Sequence, residues 1–305
     1  MAIATWNSCS KAWAWPSATS AVAKRVSRAG SAAAGVQYQS WMTLSASGGA
    51  SPDSAASPDF WHSRPRAFVT SLFIIFITFV LSIIAIFSMV LTPRGGIYLA
   101  MARVWPKIIF RFGGIEWRSR TDPRVNPAIS YLYLSNHESL TDILALFATL
   151  PQKVVMVAKR SLFILPVFSW GMWLAGFVFI NRKNRAAAYR SMEKAGERLQ
   201  RGRSVVVFPE GTRGDGGELL PFKRGGFLLS QAAQFPVVPV GIYGTYGVLP
   251  RDPFCVYPGR IAVCIGAPIP PPAKGERLEE FTAQVKREVE RLRQEARLLA
   301  QDVAD

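Results

Sequence analysis

From Ala67 to Leu91 the chain reads AFVTSLFIIFITFVLSIIAIFSMVL without one charged residue, with Arg64 and Arg66 before it and Arg94 after it. A helix of roughly 25 residues rises about 37 Å at about 1.5 Å per residue, more than the bilayer's hydrocarbon core of about 30 Å. An uncharged run of this length predicts membrane contact, with spanning and shallow insertion both open. It lies too far from Met1 for a simple cleaved signal peptide. Basic residues flank it on both sides, so the positive-inside bias does not choose a topology.

The chain on either side of this run is of two kinds. Residues 1–63 are rich in Ala, Ser and Gly, show no sustained hydrophobic period, and carry Lys11, Lys24, Arg25 and Arg28 but no acid before Asp53. This composition predicts a disordered leader, or a chain started early, or a basic targeting peptide. After the run, Ile97 to Arg118 mixes apolar and aromatic residues with Arg103, Lys107, Arg111 and Arg118, broken by Pro106 and Gly113-Gly114. It reads as an interfacial helix whose cations reach lipid phosphates, or as an ordinary amphipathic packing helix. With the long run it makes an expected membrane anchor over 64–118, leaving 119–305 as a separate domain.

Lys and Arg number 36 against 20 Asp and Glu, a net charge of +16, which favours anionic partners. Composition alone admits nucleic acid, an anionic membrane or a phosphate-bearing substrate. The apolar run and the lack of any nucleic-acid recognition module argue against nucleic acid. Three cysteines without a CxxC, and two histidines, His62 and His137, give no zinc spacing and no disulfide framework. No metal is expected, and a reducing, cytoplasm-facing domain fits.

Between residues 125 and 270 short β-branched or aromatic runs alternate with helical patterns. Strands are expected near Ile129–Leu134, Lys153–Ala158, Phe177–Ile180, Ser204–Phe208, Val237–Tyr243 and Arg260–Ile265. Helices are expected near Leu140–Leu150, Pro166–Leu174, Arg185–Arg201 and Phe227–Phe235. Leu278, Phe281, Val285, Val289, Leu292 and Leu299 mark one side of a charged C-terminal helix. The pattern predicts an α/β fold: a mostly parallel or mixed central sheet covered by helices, preceded by an N-terminal hydrophobic, membrane-anchoring helix pair.

The strand YLYL runs into Ser135-Asn136-His137-Glu138-Ser139-Leu140-Thr141-Asp142. In a regular helix a spacing of five puts side chains about 140° apart. With His137 just before the helix and Asp142 on its first turn, the ring can instead fold back onto the carboxylate, which would fix its tautomer and stabilise the imidazolium. A lone loop His beside a helix-capping Asp remains open. The strand SVVVF ends in Pro209-Glu210-Gly211-Thr212-Arg213, a turn offering backbone N–H groups, a hydroxyl and a guanidinium to an anion, or simply a surface turn. Ser139 invites a hydrolase reading, but no G-x-S-x-G occurs and its place beside the His suits attack poorly.

Four ordered blocks, NHESLTD, GFVFINR, FPEGTR and VVPVGIYG, resemble the N-H-x4-D, G-x-x-F-I-x-R, E-G-T-R and final blocks of the glycerolipid acyltransferases, over about residues 67–270. Two departures stand out: Glu138, where a neutral or basic residue is commoner, and Gly214, where Ser is frequent. The former bears on acceptor preference but leaves the His and Asp intact. The resemblance implies a membrane enzyme, of the inner or an internal membrane, with its catalytic domain facing the cytoplasm. It would move a fatty acyl group from acyl-CoA or acyl-ACP, used as substrate and with no cofactor, to lysophosphatidic acid. Another lysophospholipid or a lyso-ornithine lipid is the alternative acceptor; a non-catalytic membrane lipid-binding protein is the remaining one. It further implies His137 as general base and Asp142 as its partner, acting without an acyl-enzyme. Arg182 and Arg213, with Glu210, Gly211 and Thr212, would hold the glycerol phosphate, and Lys223 would add a contact.

Overall fold

A computed structural model describes residues 60–91, 96–251, 255–273 and 275–302; the expectation for 1–63 lies almost wholly outside them. Helix α1 (Phe60–Leu91) carries the apolar run, and Ala67–Met89 within it is long and apolar enough to cross a membrane. Phe68, Leu72, Phe76, Phe79 and Phe87 on it are exposed. Helix α2 (Gly96–Gly113) packs beside it. Trp105 Nε1 donates to Thr78 Oγ1 at 3.1 Å, and the rings of Phe73 and Phe112 lie 4.5 Å apart.

The expected helix over Ile97–Arg118 is corrected here. Helix α2 stops at Gly113, Gly114 takes a left-handed φ of 64°, and strand β1 (Ile115–Thr121) begins. Its alternation of Ile115 and Trp117 with Glu116, Arg118 and Arg120 is that of an exposed edge strand.

Seven strands form one sheet in the order β1-β7-β6-β2-β5-β3-β4. They are β2 (Leu132–Ser135), β3 (Val154–Lys159), β4 (Val178–Ile180), β5 (Ser204–Val207), β6 (Val237–Tyr243) and β7 (Gly259–Ile265), besides β1. From β6 to β4 the pairings are parallel; β7 turns back antiparallel on β6, and β1 follows β7. The mixed, mostly parallel sheet is therefore as expected.

Between the strands lie α3 (Thr141–Thr149), a 3-10 turn (Arg160–Ile164), α4 (Phe168–Leu174), α5 (Arg185–Gln200), α6 (Gly225–Ala233) and the short α7 (Thr245–Val248), with α8 (Leu278–Gln301) last. Asn184 opens α5 by accepting a hydrogen bond from the Ala187 N–H at 2.9 Å. Successive side chains of a strand point to opposite faces, and both faces are dry. Tyr131 and Tyr133 join α2, α3 and α4 in one core, while Leu132 and Leu134 join α5, α6 and α8 in the other. A sheet buried on both sides can carry the near-continuous apolar strands seen in the sequence.

Because β2, β5, β3 and β4 run parallel, their carboxyl ends share one edge of the sheet. That edge is where open α/β sheets place reactive groups. His137 lies just past β2, Glu210 just past β5 and Arg182 just past β4. Since β2 and β5 are neighbours, the two loops meet.

Candidate active site

The imidazole of His137 folds back onto the first turn of α3, and its Nδ1 lies 2.8 Å from Asp142 Oδ2. The same oxygen accepts the backbone N–H of Glu138 at 2.7 Å and of Ser139 at 2.9 Å. Asp142 is fully buried, while the His137 side chain keeps 11% of its surface exposed. This is the fold-back that a His just ahead of a helix and an Asp on its first turn can make. With Nδ1 engaged, Nε2 is the ring nitrogen left for a proton.

The ring is held from a second side. Phe208, at the end of β5, stacks on it with centroids 4.0 Å apart and planes 16° apart. The sequence did not single out this contact; the one available signal was the aromatic residue that opens FPEGTR.

Glu210 binds the two loops together. Its Oε1 accepts the His137 backbone N–H at 2.8 Å, and its Oε2 accepts the Leu220 N–H at 3.1 Å. Burial pushes this carboxyl above its ordinary range, with the two backbone donors pulling it back. Expected beside a phosphate, Glu210 has each of its oxygens bonded to a backbone N–H. The Gly214 N–H in turn donates to the His137 carbonyl at 2.7 Å. A Cβ at Gly214 would sit 3.7 Å from that carbonyl, ordinary contact, so the departure from Ser is sterically neutral.

The turn itself depends on Gly211, whose φ of 72° is left-handed. A Cβ there would come within 2.7 Å of Lys223 Nζ, so the missing side chain lets the ammonium lie against the turn. Arg182 arrives from the end of β4 and donates through Nη1 to the Gly211 carbonyl. Partial burial lowers its guanidinium's pKa. Thr212 is exposed and Arg213 half-buried, and neither Arg213 nor Lys223 forms an ion pair among the described residues. Three cations thus gather around one turn whose single acid is already committed.

Ser139 is buried, and its hydroxyl donates to the Leu249 carbonyl at 2.8 Å. It is placed to tie the loop to the end of α7, with its hydroxyl engaged there. Asn136 pins the other flank: its side chain donates to the Ile242 carbonyl at 2.9 Å and accepts the Ile242 N–H at 2.8 Å.

Glu138 is buried beside these groups. Burial pushes its carboxyl up to about 7; Arg293 opposes the rise and the Asp142 carboxylate adds to it. A carboxyl raised from 4.5 in the unfolded chain lends its full stability below that value and loses it as pH rises through about 7. The melting temperature of Glu138→Gln is therefore expected to fall less steeply than the wild type's across that window. Parallel curves in a calorimetric pH series would contradict this assignment.

Comparison with known proteins follows the same blocks. Residues 118–243 match the family model described as Acyltransferase, and that span holds every candidate site residue above. The chain is similar to the human 1-acyl-sn-glycerol-3-phosphate acyltransferase beta, with 40% identity over 136 residues, 44% of this chain and 49% of that protein. It is 34% identical over 190 residues to the bovine alpha enzyme, covering 58% of this chain and 64% of the relative. The matches thus span about half to just under two thirds of these relatives. Among solved structures, the 1-acyl-sn-glycerophosphate (LPA) acyltransferase PlsC of Thermotoga maritima superimposes with a TM-score of 0.67 at 25% identity, covering 79% of this chain and 99% of that one.

Proposed function

We propose, on the premise that residues 118–243 form a domain of the acyltransferase family, that the chain moves a fatty acyl group from acyl-CoA or acyl-ACP to the free sn-2 hydroxyl of lysophosphatidic acid, giving phosphatidic acid. One observation carries this reading: the 2.8 Å contact between His137 Nδ1 and Asp142 Oδ2, set directly beside the cationic 210–213 turn.

In the proposed step His137 Nε2 takes the acceptor's hydroxyl proton as the oxygen attacks the thioester carbonyl carbon. The C–S bond breaks, the new ester forms, and the departing thiolate recovers the proton from the imidazolium. Asp142 stabilises that imidazolium and keeps Nδ1 as the donor side. The acyl group passes straight to the acceptor, without an acyl-enzyme. Arg213, Lys223 and Arg182 would grip the phosphate, with the Thr212 hydroxyl in reach. Forked guanidinium donors suit a phosphate's oxygens. Glu210 and Gly211 would shape the turn, Glu210 through its two backbone partners.

Membrane attachment belongs to the same reading. The exposed apolar side chains of α1 continue into Phe163, Ile164, Leu165, Trp170 and Trp173, all exposed, and α4 packs on α1. Exposed Trp170 and Trp173, with the exposed cations Lys159 and Arg160 in the same stretch of chain, are the mixture that lies at a lipid headgroup boundary. Helices α1 and α2, up to Gly113, would thus anchor a catalytic domain that faces the cytoplasm.

Purified chain given labelled acyl-CoA and a panel of lysolipids tests the acceptor. Lysophosphatidate is expected to be preferred; preference for another lysolipid would overturn that assignment, and liposome binding without transfer would overturn the enzyme. In the same assay Arg213→Ala should raise the acceptor KM about tenfold with kcat little changed, as for a contact made equally in ground and transition states. Normal KM and normal kcat would remove Arg213 from the site.

A further inference from the structure

The C-terminal helix reaches the back of the His137 loop, from a part of the chain that lies beyond the residues the family model matches. Arg293 Nε donates to Glu138 Oε1 at 2.6 Å, and Nη2 of the same guanidinium donates to the Gly216 carbonyl. Both side chains are nearly dry, 11% and 6% exposed. The approach depends on Gly241 of β6: a Cβ there would stand 2.2 Å from the backbone of Leu292 and Arg293. Helix α8 can therefore approach β6 closely here and extend Arg293 beneath the loop. Glu138 Oε1 also accepts a hydrogen bond from Asn136 Nδ2 at 3.2 Å, which connects the pair to β6.

From this geometry we infer that Arg293 is a positioning residue for the His137–Asp142 pair. By neutralising Glu138 and holding the Gly216 carbonyl at once, it locks the 135–142 loop against the loop that follows Arg213. Glu138, the unusual residue after the His, thereby has its counter-charge on α8. A buried ion pair adds little net stability, but removing one partner strands a charge in a dry site. The grip acts on two loops through two hydrogen bonds, one to a side chain and one to a backbone carbonyl, and the reacting nitrogen is fixed to one of those loops.

The inference rests on the proposed acyl transfer for its kinetic readout, and amide hydrogen exchange gives a readout free of it. Glu138→Gln leaves the Arg293 guanidinium unmatched, and Arg293→Met removes the hold on both loops. Each should lower kcat about tenfold while the lysolipid KM stays within about twofold, since a small misplacement of a catalytic group costs rate and leaves the phosphate grip untouched. Arg293→Lys, which cannot fork to both acceptors, should fall between Arg293→Met and wild type. The double variant Glu138→Gln/Arg293→Met has no unmatched charge but has also lost the hold on the Gly216 carbonyl, so its kcat should stay within about threefold of that of Arg293→Met. In parallel, the Glu138 and Ser139 amides, bonded to Asp142, should exchange faster in each single variant, and in the double about as fast as in Arg293→Met. A folded Arg293→Met with wild-type kcat and wild-type exchange would overturn the inference, as would single effects that simply multiply in the double. Should wild type transfer no acyl group, the functional reading fails, and exchange at Glu138 and Ser139 still decides for or against the positioning role.

Discussion

His137→Ala is expected to lower kcat by at least about a hundredfold, the lower range for loss of a general base, with the fold retained. The substitution removes the one nitrogen able to take the acceptor proton. The scaffold around it survives because it runs through backbone: the residue 137 N–H still donates to Glu210, and its carbonyl still accepts from Gly214. What is lost is the ring's contact with Phe208 and its bond to Asp142, whose Oδ2 keeps the Glu138 and Ser139 backbone donors. Circular dichroism should therefore give a melting temperature within a few degrees of wild type. A folded variant retaining a tenth or more of the activity would remove His137 from the chemistry.

Asp142→Asn should cost up to as much as loss of the base it serves, about a hundredfold in kcat, by analogy with triad carboxylates whose amide replacements spoil the tautomer and the imidazolium's counter-charge. Oδ2 accepts from two backbone N–H groups and faces Nδ1, so an amide nitrogen cannot occupy its position without meeting donors. The amide must turn its oxygen that way and leave its NH2 at Oδ1, a buried atom without a partner among the described residues. A buried unmatched donor costs about 1–3 kcal/mol, so the melting temperature should fall as well. Measuring kcat and melting temperature together separates the two effects. Activity within about tenfold of wild type, in protein shown to be folded, would mean that the carboxylate serves structure alone.

These residues were legible because their relationship is local. The spacing of His137 and Asp142 at a strand-to-helix junction sets their geometry within a single turn, and the apolar runs of β2, β3, β5 and β6 announce strands buried on both faces. Edge strand β1 was not legible as a strand. Its residues Glu116, Trp117, Arg118 and Arg120 have the composition of an interfacial helix, and only pairing with β7 makes sense of them. There Glu116 faces Arg260 across the strands at 2.9 Å. The reversal of β7 and β1 is likewise set by partners far apart in the chain. So is everything that surrounds the imidazole: Phe208 and Glu210 arrive because β5 lies beside β2, and Arg293 because Gly241 admits the last helix. Glu210 shows the limit best. An acid within a turn of basic and hydroxyl residues reads as part of a binding motif, whereas its two backbone partners show it to be the bracket that joins the motifs.

The most direct test of the account is a single-turnover reaction begun without acceptor. Purified protein is mixed with labelled acyl-CoA, the mass of the intact protein is recorded, and lysophosphatidate is then added. A base that acts on the acceptor predicts an unmodified protein and an intact thioester until lysophosphatidate arrives, followed by transfer of the label into phosphatidate. Label covalently on the protein before the acceptor is added, or passing to water as free fatty acid in its place, would contradict it.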